Sequence, residues 1–368
     1  MMKMTRTTGI LADGAIKELF ASGHLTSERE LDVDQIQPAS LDLRLGAKAY
    51  RVRASFMPGP STRVIEKLDR LRLHEIDLSE GAVLETGCVY IVPLMEALAL
   101  PAEMSASANP KSSTGRLDIF TRVITDCAQE FDKIPAGYKG PLYLEVSPRT
   151  FPIVVRQGSR LSQIRFRIGH SVLSEGQLQT LHENEILVAS DTPNVSGGGI
   201  ALSIDLEGFG KDGLIGYRGK HHTAVVDVDQ KAAHDVLDFW EPLYSRGRAE
   251  LILDPDEFYI LVSREAVHVP PLYAAEMTPF DPLVGEFRVH YAGFFDPGFG
   301  HASAGGTGSR AVLEVRSHEV PFILEHGQIV GRLVYEHMLT TPEGLYGTGL
   351  GSNYQAQGLK LSKHFRAE

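Results

Sequence analysis

Leu144-Glu145-Val146 recurs as Leu313-Glu314-Val315, and the two glutamates are 314 − 145 = 169 residues apart. Tyr90-Ile91 and Tyr259-Ile260, Glu96-Ala97 and Glu265-Ala266, Pro152 and Pro321, and Gly158 and Gly327 keep the same spacing. Chance does not hold one register from Tyr90 to Gly158. A period of this length is too long for a solenoid or propeller unit and matches one ordinary domain, so the chain reads as a domain built twice. Whatever fold serves one half must serve the other.

That fold is expected to be mainly β. Leu142, Leu144 and Val146 alternate with Tyr143, Glu145 and Ser147, and Ala311, Leu313 and Val315 alternate with Val312, Glu314 and Arg316. Each run has one apolar and one mixed face, which places Glu145 and Glu314 on the side away from the main core. Gly (36) and Pro (20) punctuate such runs at short intervals, as turns do in a barrel or sandwich. Few helices are expected. One covers 12–22, where Ile16, Leu19 and Phe20 share a face before Gly23, and a second covers Asp229 to Tyr244, with Pro242 disturbing its last turn. The joint between halves is placed in the polar, triple-glycine stretch 191–199, giving units 1–190 and 191–340. Residues 341–368 hold few apolar anchors and read as a tail that is mobile or a lid.

With 43% hydrophobic and 23% charged residues, the 368-residue chain can build two soluble cores. Cys88 and Cys127 are the only cysteines, too few for a disulfide framework, so a reducing, cytoplasmic location is expected. Met1 to Gly14 lacks a signal peptide's apolar stretch, and no apolar run reaches the roughly 18 residues a membrane helix needs. A net charge of −11 argues against a nucleic-acid partner, since phosphate backbones are met by dense Lys/Arg faces. No membrane partner is expected either.

The most distinctive local run is Asn109-Pro110-Lys111-Ser112-Ser113-Thr114-Gly115-Arg116, in which two cations bracket three hydroxyls. It suits an oligophosphate, though a Ser/Thr turn capping the next element is the plainer alternative. Downstream lie Lys133-Ile134-Pro135-Ala136-Gly137-Tyr138 and, in the second half, Phe294-Phe295-Asp296-Pro297-Gly298-Phe299. Gln37-Pro38-Ala39-Ser40-Leu41-Asp42-Leu43-Arg44-Leu45-Gly46 stands near the start and Asn353-Tyr354-Gln355-Ala356-Gln357-Gly358 near the end. Together these runs make the chain resemble the dCTP deaminase and dUTPase family over nearly its whole length.

The resemblance implies tandem dUTPase-like distorted β-barrels, a homotrimer, and nucleotide sites at junctions between barrels. It assigns Lys111, Ser112, Ser113 and Arg116 to the triphosphate, Lys133 to the place of a basic residue before the hairpin, and Tyr138 or Phe299 to the sugar. Tyr354 and Gln357 fall in the lid motif. The proton carrier is a strand glutamate, Glu145 or Glu314. The first half keeps the phosphate loop but has Pro135 where a hairpin aspartate is expected, whereas the second keeps Asp296 and has Asp281-Pro282-Leu283-Val284-Gly285-Glu286 in place of the loop. Either Glu145 works with its own half's loop, or that loop joins Asp296 and Glu314. Lys133 before the hairpin tips the sequence reading to Glu145.

Deaminating cytosine requires water to lose a proton while attacking C4 and the departing amine to gain one, which a single carboxylate can manage. The zinc deaminase signature is missing, because none of the 14 histidines stands two before a glutamate and the cysteines are 127 − 88 = 39 apart. The expected activity is therefore hydrolysis of dCTP to dUTP and ammonia without a catalytic metal, Mg²⁺ accompanying the triphosphate. A dUTP pyrophosphatase, a bifunctional enzyme with Asp296 activating water, and a non-catalytic nucleotide-binding trimer are the alternatives.

Overall fold

The computed structural model describes residues 6–190, 193–279, 287–290 as backbone, 293–317, 319–347 and 358–366. The acidic run 281–286 and the lid residues Tyr354 and Gln357 lie outside the described residues.

The first unit is built on two antiparallel sheets. One runs, in spatial order, Lys133–Ile134, Met104–Pro110, Arg160–Ile168, Ser40–Arg44, Ile36–Gln37. The other runs Ile119–Thr125, Lys139–Pro148, Val89–Ala99, Lys48–Val52, Arg72–Asp77. The second unit repeats both orders. Its sheets run Phe294–Phe295, Tyr273–Pro279, Ile329–His337, Gly199–Ser203, Val195–Ser196, and Phe287–His290, Ser309–Ser317, Phe258–Val267, Leu214–Gly219, Trp240–Tyr244. The 169-residue register survives in space, since Met104 + 169 and Arg160 + 169 are the first residues of Tyr273–Pro279 and Ile329–His337.

Alternation sets which side chains fill each core. Leu142, Leu144 and Val146 enter the large first cluster and Ala311, Leu313 and Val315 the second, all 0% exposed. Residues of the second unit also join the first cluster, among them Tyr217, Trp240 and Phe258. Phe151 meets Trp240 edge-on at 5.2 Å between ring centroids, and Ile153–Val155 pairs in parallel with Val226–Asp227. Arg316 of the second unit donates to Asp118 and Thr150 of the first, all three buried. The units thus share one apolar seam, and the site described below opens along it.

Three local expectations differ from the fold. Only Val236–Phe239 is helical in the stretch Asp229 to Tyr244, and Trp240–Tyr244 is instead a strand paired with Leu214–Gly219. Consecutive burial of Phe239 and Trp240 against Phe151 overrides the helical spacing, and Pro242 is tolerated because this strand is an edge. The glycine run at 197–199 is not an interdomain joint. Gly197 (φ +61°) and Gly198 (φ +78°) form the two-residue turn between Val195–Ser196 and Gly199–Ser203, a conformation that suits glycine at both places. The helix Glu175–Asn184, assigned from sequence to the first unit, buries Leu178 and Leu181 in the second cluster. Finally, the chain's end is anchored: Leu361 and Phe365 are buried in the first cluster. Among the described residues no helix is long and apolar enough to cross a membrane.

Candidate active site

A cavity of about 610 Å³ lies between the units and is lined by groups from both. The first unit supplies the phosphate-loop candidates. Strand Met104–Pro110 ends at a proline, Lys111 follows with extended backbone, and Ser112–Gly115 makes one helical turn, closed by Arg116 N donating to Ser112 O at 3.1 Å. This turn brings Lys111, Ser112, Ser113 and Arg116 to the same cavity wall. Lys111 donates from Nζ to Asp42, a buried residue of the Leu41-Asp42-Leu43 run, and Arg116 Nη1 donates to Lys360 O at 3.0 Å.

The second unit supplies the hairpin and the carboxylates. Gly300 sits at φ +64°, and a Cβ there would stand 2.2 Å from Val267 O, so only glycine permits the hairpin to fold back. The hairpin presents Asp296 and Phe299 to the cavity, and Phe299 packs edge-on against Phe295 at 4.9 Å. Asp296 accepts from Arg165 Nη2 at 3.1 Å. Arg165 comes from strand Arg160–Ile168 of the first unit, is fully buried, donates to Ala275 O at 3.1 Å and stacks 4.0 Å above the Phe294 ring. Burial raises the Asp296 carboxyl above its ordinary value, against the opposing pull of Arg165.

Glu314 lines the same cavity, 4% exposed, with Oε1 3.9 Å from Arg116 Nε. Burial pushes its carboxyl up to about 8, opposed by the Arg116 guanidinium. A strand carboxyl near neutrality, next to a cationic hydroxyl-rich loop, can both take and give a proton in this cavity.

The structure does not bring Glu145, Lys133 or Tyr138 to this cavity. Glu145 is buried and accepts from Arg122 Nη2 at 2.6 Å and Nε at 3.0 Å, with Arg122 stacked 3.5 Å from the Phe131 ring. Lys133 and Tyr138 line a different cavity on the first unit, together with Arg167 and Asp126. Tyr138 is spent on its own hairpin, donating to Pro141 O at 2.7 Å. The cation before the first hairpin, which tips the sequence reading to Glu145, therefore serves another wall. Of the two arrangements open from sequence, loop plus Asp296 plus Glu314 is the one whose members meet, and they meet within one chain.

Sequence reasoning missed Asp42, Arg165 and Lys363. Asp42 stood in a run already singled out, but Arg165 and Lys363 carry no local signal. Lys363 lines the cavity from the C-terminal segment, and burial, with Lys111 and Lys231, lowers its ammonium to about 8. Among the described residues no three His, Cys, Asp or Glu side chains converge as a metal ligand set. The cavity's acidic groups are instead paired, Asp32 and Asp34 with Arg160, Asp42 with Lys111, Asp229 with Arg156.

Residues 7–170 match the family model described as 2'-deoxycytidine 5'-triphosphate deaminase (DCD) N-terminal domain, and residues 174–365 match the DCD C-terminal domain. The crystal structure of 2'-deoxycytidine 5'-triphosphate deaminase from Agrobacterium tumefaciens is 85% identical, with a TM-score of 0.90 over 94% of this chain and 100% of that one. Curated relatives include the dCTP deaminase of Halorubrum lacusprofundi, 32% identical over 160 residues (43% of this chain, 76% of the relative). The "dCTP deaminase, dUMP-forming" of Acidothermus cellulolyticus is 31% identical over 156 residues (42% and 78%).

Proposed function

Because the chain belongs to the 2'-deoxycytidine 5'-triphosphate deaminase family, we propose that it hydrolyses dCTP to dUTP and ammonia in the cavity between its two units, with Glu314 as proton carrier. One observation carries the residue assignment: the buried Glu314 carboxyl stands 3.9 Å from Arg116 of the phosphate loop, whereas Glu145 is closed off by Arg122.

In this reading Ser112, Ser113, Lys111 and Arg116 hold phosphates, and Phe299 meets the sugar. Protonated Glu314 donates to N3 of cytosine, which makes C4 more electrophilic, and the resulting carboxylate takes a proton from water as the oxygen bonds to C4. Glu314 then passes that proton to the amino group and recovers one from the new hydroxyl as ammonia leaves. Atoms balance and Glu314 ends as it began. Mg²⁺ enters as part of the triphosphate substrate, and no catalytic metal is invoked. Homotrimeric assembly, a cytoplasmic location and origin of the two units by duplication belong to the same proposal, the last supported by their shared strand order.

The test is product analysis. Purified chain with Mg²⁺ and dCTP should release ammonia and dUTP in equal amounts without pyrophosphate. Equal pyrophosphate and dUMP would make the enzyme bifunctional, and neither product with dCTP still bound would leave a binding protein. Asp296, which lines the cavity and accepts from Arg165 at Oδ1, is the carboxylate that the bifunctional reading would use to activate water.

The pH dependence follows from Glu314. Its proton is held below about pH 8 and lost above, so the form that donates to N3 disappears as pH rises. kcat/KM should be level from pH 6 to the group's value near 8 and then fall by about tenfold per unit. Lys363 titrates in the same window, so the profile is read in a Lys363→Met background. A profile that instead rises through pH 8 would assign Glu314 a purely basic role.

A further inference from the structure

Arg116 and Asp118 stand either side of Leu117, which is buried in the first cluster, and Glu314 and Arg316 stand either side of Val315, which is buried in the second. Each unit therefore offers the seam one cation and one carboxylate, two residues apart. The two pairs meet with opposite charges facing. Arg116 Nε lies 3.9 Å from Glu314 Oε1, too long for a hydrogen bond, whereas Asp118 Oδ2 accepts from Arg316 Nε at 3.2 Å and from Nη2.

The second contact is braced on both sides. Thr150 Oγ1 donates to Asp118 Oδ2 at 2.6 Å, Arg316 Nη2 donates to Thr150 Oγ1 at 3.0 Å, and Arg316 Nη1 donates to Asp256 O. Asp118 holds φ +54°, a region uncommon for residues other than glycine, with aspartate and asparagine among the best tolerated. Its N donates to Gly115 O at 2.9 Å and its O accepts from Arg149 N at 3.0 Å, which fixes the conformation that turns the carboxylate to the second unit. A buried ion pair is weak evidence for stability and is best attested as a device that sets register. Glu314 lies two residues from this device on the same strand, Ser309–Ser317. Burial is the main cause that raises its carboxyl, Asp118 adds to the rise, and Arg116 opposes it. Its strand neighbours are Ile260 and, on the other side, the titratable His290.

We propose that Asp118 is a positioning residue for Glu314: its clamp on Arg316 sets the loop 111–116 against strand Ser309–Ser317 so that Arg116 faces Glu314 across the seam. The role rests on the deaminase reading of this cavity. It makes a contact between the units, remote in sequence from either glutamate's own half, a condition for turnover.

The test compares full-length Asp118→Asn and Asp118→Gly with the wild type, since both replacements suit a positive φ. Asparagine keeps an acceptor for Arg316 and Thr150 but loses the charge, and glycine loses both. Ammonia release from dCTP is followed against pH in the Lys363→Met background. The Glu314 carboxyl is also titrated directly by carboxyl-carbon NMR of labelled glutamate, its signal identified by its absence in Glu314→Gln. Asp118→Asn should move the falling limb of kcat/KM and the NMR midpoint to lower pH by about half a unit or more, because a negative charge is removed while Arg316 stays. Asp118→Gly should move both at least as far and lower kcat by about tenfold or more, as misplacement of a reacting group does. His290 is present in every chain compared, so its titration cancels in the difference. A merely structural role would lower the urea midpoint of unfolding and leave both pH midpoints in place. Unmoved pH midpoints in the two variants, or wild-type kcat in Asp118→Gly, overturn the proposal, and Asp118→Asn decides alone if the glycine variant does not fold. A wild-type chain that releases no ammonia overturns the deaminase reading instead, and the NMR midpoints still decide whether Asp118 acts on Glu314.

Discussion

Replacing Glu314 by glutamine is expected to lower kcat by about 10³-fold or more while dCTP binding stays within a few fold, because general acid-base transfer contributes on that scale. Glutamine keeps the shape and the contact distance to Arg116 but can neither lend a proton to N3 nor take one from water. It also replaces a carboxyl that burial holds near 8 with a neutral group, so the fold loses no charge that it depended on at pH 7. Glu145→Gln is the matched control. It unpairs Arg122, a cost in stability, and leaves the cavity between the units intact. Ammonia release measured for both variants decides the matter: an active Glu314→Gln beside a dead Glu145→Gln would return the proton carrier to the first unit and remove the basis of the mechanism above.

The preference for Glu145 from sequence alone has a specific physical origin. Lys133 precedes the first hairpin where the family carries a cation and Phe294 holds the matching place in the second half, but a matching place in the chain does not fix which cavity a side chain lines, and Lys133 lines another one. The 169-residue register, which is a property of sequence, did carry over to space, and it carried whole strands with it: Met104–Pro110 and Tyr273–Pro279 occupy equivalent places in equivalent sheets. That Lys111, Ser112, Ser113 and Arg116 share one cavity wall was legible because the signal is local, two cations and three hydroxyls around a single helical turn. What cannot be read along the chain is which unit completes the other. Arg122 closing over Glu145 depends on the pairing of Ile119–Thr125 with Lys139–Pro148, and Lys363 reaching the cavity depends on Phe365 docking 125 positions after Trp240 (365 − 240). The mistaken helix over Asp229 to Tyr244 has the same cause, since its apolar spacing is equally that of a short turn and an edge strand once Phe151 is there to receive Phe239 and Trp240.

Arg165→Met should be the most damaging substitution outside the cavity wall. Arg165 is fully buried, and its guanidinium meets Asp296 at 3.1 Å, Glu336 at 3.4 Å and two backbone carbonyls of the second unit. Removing one partner of a buried charge network leaves the others uncompensated, at a cost of about 3–5 kcal/mol. The sign of its pH dependence follows from the groups left behind. Burial already raises Asp296 and Glu276 above their ordinary values, and Arg165 is the largest influence opposing that rise for both, ahead of Lys111 at Asp296 and of Arg167 and Lys133 at Glu276. Without it their folded-state values climb further. A carboxyl whose folded value exceeds its unfolded one contributes stability at low pH and loses it as pH rises, so the variant's deficit should be larger at pH 8 than at pH 5. Function should fall with it, because the hairpin that presents Asp296 and Phe299 is anchored to the first unit through this side chain. Arg165→Lys keeps the charge but cannot reach both carboxylates and the Phe294 face together, so it should recover part of the loss. Urea unfolding at the two pH values, with kcat/KM alongside, provides the measurement. Equal stability of Arg165→Met and wild type at pH 8 would mean that the two units are held by the Phe151–Trp240 seam alone and that the hairpin needs no anchor across it.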